Sequence, residues 1–135
     1  MLYYTPSVGP DMAALKAAFK KCGELLQVKN LQETVILVPQ KSNLDGIIRD
    51  LLGEDLTRIL LKSNMCDLKG IIIHLFTKRN MPIHCKIPIL AAYIDTKTMN
   101  DLIKKNPGVD ILYVPWTEDE LDSFKKTYQA EEISM

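Results

Sequence analysis

The sequence predicts an α/β fold: a small three-layer Rossmann-like or flavodoxin-like domain, with a parallel sheet of four or five strands, built from residues 1–135 as a single domain. Three observations carry that expectation. Residues 34–38 (TVILV), 88–94 (PILAAYI) and 109–114 (VDILYV) are apolar, β-prone runs without the polar alternation of a half-exposed strand, so they suit strands covered on both faces. The segments between them place apolar residues at intervals of three and four, the helical period. Strands alternating with helices call for right-handed crossovers and a parallel sheet with helices on both sides.

The elements follow in order. Residues 2–5 (LYYT) are aromatic and β-prone and stop at Pro6. A helix entered through Pro10 and Asp11 comes next, with Leu15, Ala18, Phe19, Cys22, Leu25 and Leu26 on one stripe and Gly23 weakening its end. After the strand at 34–38, Pro39 ends the ladder, because proline donates no hydrogen bond and disfavours helix at the residue before it. Ser42 or Asn43 is then expected to cap a helix carrying Leu44, Ile47, Ile48, Leu51 and Leu52.

Beyond Gly53 two readings stay open. The stripe continues through Leu56, Ile59 and Leu60 as helix, or residues 58–62 (RILLK) form a further strand. The next segment reads as a helix capped by Asp67, with Leu68, Ile71, Ile72, Leu75 and Phe76 as its stripe. Lys78, Arg79 and Asn80 occupy its last turn and Pro82 stops it. Following the strand at 88–94, Met99, Leu102 and Ile103 mark a short helix ended by Asn106-Pro107-Gly108. After the strand at 109–114, Thr117 and Glu120 form a capping box for a last helix bearing Leu121, Phe124 and Tyr128, and the tail AEEISM is expected to fray.

Composition narrows the function. Seventeen basic and seventeen acidic residues give no net charge, which removes the surplus of positive charge that nucleic-acid binding uses, so no nucleic acid is expected. No segment has the ~18 continuous apolar residues of a membrane helix, and the N-terminus has no signal-peptide pattern. Three widely spaced cysteines suit free thiols in a reducing compartment. A cytoplasmic protein without membrane association is expected.

Ligands of an open parallel sheet collect outside the carboxyl ends of the strands, where helix N-termini offer free amides. The candidate ligand-binding residues at that edge are Lys41, Ser42, Asn43, Asp95, Thr96, Lys97 and Trp116. Lysines beside hydroxyl-bearing caps would cradle a phosphate or carboxylate, and Trp116 would stack on a flat ligand or cover the sheet end. The same residues also serve as ordinary helix caps and solvated charges.

Absent motifs matter as much. Neither G-x-G-x-x-G nor G-x-x-x-x-G-K-[ST] occurs, no acidic pair matches a receiver-type magnesium site, and G-x-S-x-G is missing. A helix start beside Cys66 would lower its thiol pKa, but with no base placed nearby a structural or incidental role is expected of it. Cys66, His74, His84 and Cys85 lack tetrahedral zinc spacing, so no metal is expected, and no residue type assigns a catalytic role or a cofactor. The expected function is a non-catalytic binding or regulatory module, meeting a protein partner, a second copy of itself or a small ligand. The alternative is a small enzyme or anion-ligand binder at the carboxyl edge.

Overall fold

The structure, a computed structural model, describes residues 1–135. In chain order its elements are β1 (Leu2–Tyr4), α1 (Met12–Val28), β2 (Glu33–Val38), α2 (Ile47–Leu52), α3 (Glu54–Ser63), β3 (Met65–Leu68) and β4 (Ile71–Thr77). They continue with β5 (Ile89–Ala92), α4 (Thr96–Lys105), β6 (Ile111–Val114), α5 (Glu118–Thr127) and β7 (Glu131–Glu132). Short 3₁₀ turns occupy Lys41–Leu44 and Lys78–Asn80.

All seven strands share one sheet in the order β3-β4-β2-β5-β6-β1-β7. Every neighbouring pair is parallel except β3 and β4. Residues alternate between two cores. Ile36, Val38, Leu90 and Leu112 pack with Leu15 and Ala18 of α1, Ile48 of α2 and Leu60 of α3. Val35, Leu37, Ile89 and Ile111 face the other way, onto Met99 and Leu102 of α4 and Phe124 of α5. The central runs therefore lack alternation because both faces of the sheet are covered. Burying each such side chain contributes about 1.5–3 kcal/mol.

The sequence expectations hold for β1, α1, β2, β5, α4, β6 and α5, and residues 58–62 take the helical alternative inside α3. Three expectations are overturned. The helix read over residues 68–76 is instead the antiparallel hairpin β3–β4, so the sheet has seven strands and is not wholly parallel. Its loop is two residues long, with Lys69 at φ 51° and Gly70 at φ 92°. Positive φ at both central positions is the primed turn that matches the twist of a hairpin. Asp67, read as a helix cap, closes this turn by accepting the Gly70 amide at 2.8 Å.

The second correction concerns Ser42 and Asn43. They lie in the 3₁₀ turn, and α2 starts later, behind Gly46. The third is the tail. Glu131 and Glu132 pair with Tyr3 and Tyr4 as β7, and Ile133 is buried. No helix is long and apolar enough to cross a membrane.

Candidate functional site

Because six strands run in parallel, their carboxyl ends meet at one edge. Neighbours β2 and β5 send the chain to opposite faces there, β2 toward α2 and β5 toward α4. Such a divergence opens a crevice at the strand ends, the place where open α/β sheets bind ligands.

Asp95 stands at that edge as the N-cap of α4. Its Oδ1 accepts the Thr98 hydroxyl at 2.6 Å and its Oδ2 the Thr98 amide at 3.4 Å. Lys78, delivered by the turn after β4, places its Nζ 3.2 Å from Oδ1. Burial pushes this carboxyl up, but the Thr98 hydroxyl, the Lys78 ammonium and the Thr98 amide outweigh it, leaving Asp95 below the ordinary carboxylate range. Thr96 begins the helix behind it, and Lys97 points to solvent.

Two of the other candidates, Lys41 and Asn43, are spoken for in the same way. Lys41 Nζ donates to the Leu61 carbonyl at 3.2 Å, so it satisfies the last turn of α3. Asn43 Oδ1 accepts the Gln40 amide at 3.0 Å, folding the 3₁₀ turn on itself, while Ser42 is exposed. Trp116 is 48% exposed and sets its ring edge-on to Tyr93, with centroids 5.1 Å apart, which makes it a cover for the end of β5. The Thr117 hydroxyl accepts the Glu120 amide and the Glu120 carboxylate accepts the Thr117 amide, the expected capping box.

The edge loop after β1 repeats the pattern. Asp11 caps α1 through the Ala13 and Ala14 amides, and the Ser7 hydroxyl donates to its Oδ2 at 2.6 Å. The Ser7 bond is the largest influence, and with help from the two amides it outweighs the opposing effect of burial and holds Asp11 below its usual range.

The seven sequence-chosen residues thus fall into three groups. Lys41, Ser42 and Asn43 share the turn beside α3; Asp95, Thr96 and Lys97 start α4; Trp116 follows β6. None of the five principal cavities contains two of them. Lys78 was not among the candidates, because the helix read over its segment gave it a last-turn role.

Tyr93 was also missed. It is 9% exposed and sits at φ 65°, a left-handed conformation that a bulky side chain rarely adopts. The Tyr93 amide donates to the Val114 carbonyl at 2.8 Å, which fixes this bend against β6. Its hydroxyl is buried without a partner, and burial raises its pKa, with Asp11 adding to the effect. Nothing in ILAAYID announces a positive φ.

The thiols are equally quiet. Cys66 lies in β3 and not at a helix start, so no helix end activates it; burial, followed by the Asp67 charge, pushes its thiol up. Cys22 is buried on α1 against Thr34 and is likewise raised by burial. His74 Nε2 lies 2.7 Å from Glu33 Oε1, an exposed cross-strand pair. No group of three His, Cys, Asp or Glu side chains is placed to hold a metal ion.

No protein-family model matches this chain, and no curated protein or solved structure matches it significantly.

Proposed function

We propose that this chain is a non-catalytic binding module, working as one Rossmann-like, three-layer α/β domain in a reducing, cytoplasmic setting. One observation carries the reading: four polar side chains at the carboxyl edge, Asp95 and Asp11 among them, are already paired within the protein, and the unpaired Ser42 and Lys97 stand exposed in separate turns. Asp95 is held by Thr98 and Lys78, Asp11 by Ser7 and two amides, Asn43 by Gln40, and Lys41 by Leu61. A general acid or base must reach the proton it moves, and a nucleophile needs a base within hydrogen-bond reach. These groups spend that capacity on helix ends and turns.

The partner of such a module is a small ligand, another protein or a second copy of the chain. The outer strands β3 and β7 have only four and two residues, so strand-to-strand dimer formation has little ladder to use. Thermal denaturation across a panel of nucleotides, inorganic phosphate and small carboxylates tests the reading. A ligand that binds only the folded state raises the midpoint by mass action. No rise is expected from these anions. A saturable rise abolished by Lys97→Ala or Asp95→Asn would instead establish the anion-binding alternative at the carboxyl edge.

A further inference from the structure

On the first face of the sheet, α1 and the β3–β4 hairpin stand apart and leave a cavity of about 260 Å³ between them. Its floor is Ile36, Ile73 and Leu90, each about 1% exposed, and Leu26 of α1 forms one wall. Phe19 and Ile71 stand half-buried beside the opening. Apart from Lys20, only two lining side chains carry polar atoms, and both are engaged. Thr34 Oγ1 donates to the Pro88 carbonyl at 2.9 Å and lies 3.2 Å from Cys22 Sγ. A water molecule needs two to four polar partners to settle in a cavity, so this one favours a hydrocarbon over water.

A second observation points the same way. Gly23 lies within α1 and lines the cavity. Glycine inside a helix costs about 1 kcal/mol relative to alanine. No backbone need explains it, for Gly23 is not among the positive-φ glycines and a Cβ built there would meet nothing within 4 Å. A side chain at this lining position would enter open space, which its absence leaves free.

We infer that the cavity is a binding site for the hydrocarbon part of a small amphiphile, an alkyl chain or aryl ring, whose head group stays at the opening beside the exposed Lys20. A dry cavity of about 150 Å³ already accepts benzene, so this volume has room for more than one ring's worth of carbon. The inference rests on the binding-module reading and gives it a ligand class.

The test is a thermal shift and calorimetric titration of the full chain with toluene, 1-octanol and octanoate. All three should raise the midpoint of the wild-type protein. Gly23→Leu fills the cavity, so it should raise the midpoint without ligand and weaken each probe at least tenfold. Ile71→Phe, at the opening, is the second variant should Gly23→Leu fold poorly, and it should weaken all three probes as well. Wild-type protein indifferent to every probe, or variants that bind all probes as the wild type does, would overturn the inference. A response to octanoate alone would also overturn it, since that would be Lys20 meeting a carboxylate. Silence from the apolar probes removes this site but leaves a protein-binding module standing, whereas stabilisation by nucleotides at the carboxyl edge removes the module reading itself.

Discussion

Asp67 Oδ1 accepts the Gly70 amide at 2.8 Å, and with that bond a segment patterned like a helix becomes a hairpin. The turn it closes asks for two consecutive left-handed residues. Gly70 supplies one freely, and Lys69 takes the other against its preference. Lys69→Asn should therefore stabilise the protein by about 0.5–1 kcal/mol, because Asn-Gly is the favoured pair for this turn. Gly70→Ala should destabilise it by about 1–2 kcal/mol. Urea denaturation of the two variants checks both signs, and equal effects would mean that the turn is not primed.

The pairing of Asp95 predicts a dependence on acid. Its pKa is lowered in the folded state from an ordinary value of 3.8. The carboxylate therefore adds stability that is present above pH 3.8 and is lost as pH falls through the lower, folded value. Asp95→Asn preserves the cap, since asparagine caps as well as aspartate, but removes the charge. The variant's stability between pH 6 and pH 3 should fall less than the wild type's. Parallel curves would show that Asp95 is not held by Thr98 and Lys78.

Tyr93 offers a test of a buried group without a partner. An unsatisfied buried hydroxyl costs roughly 1–3 kcal/mol. Tyr93→Phe keeps the ring against Trp116 and deletes the hydroxyl, so it should be stabilising, by about 1 kcal/mol. A loss of that size in equilibrium unfolding would reveal a hydrogen bond at this oxygen.

The three thiols should react in order of access. Cys85 is half-buried while Cys22 and Cys66 are buried, and burial raises the pKa of both. A thiol reagent added to native protein should modify Cys85 first, and the other two only as the chain unfolds. Cys66 reacting as fast as Cys85 would contradict its place in β3.

Much of this fold was legible because local and tertiary signals agree. The runs at β2, β5 and β6 are apolar throughout, and two covered faces demand that. The hairpin escaped because Leu68, Ile71, Ile72, Leu75 and Phe76 also satisfy the helical period, while three consecutive isoleucines and Lys69-Gly70 favour strands and a turn. The tail escaped because β7 consists of two glutamates whose pairing rests on backbone bonds to β1 and not on side-chain pattern. At the carboxyl edge the residue types were readable but their engagements were not. Lys78 reaches Asp95 only once β4 is a strand ending beside β5's neighbour β2. The apolar cavity was hidden for the same reason, since the hairpin forms one of its sides.

The most direct measurement is a two-dimensional NMR titration of labelled protein with octanoate and, separately, with ATP. Binding through the apolar face predicts that octanoate shifts Gly23, Leu26 and Ile73 while ATP leaves Lys41, Asp95 and Lys97 unmoved. Saturable ATP shifts at Lys41, Asp95 and Lys97, with Gly23 and Ile73 silent toward octanoate, would contradict the account.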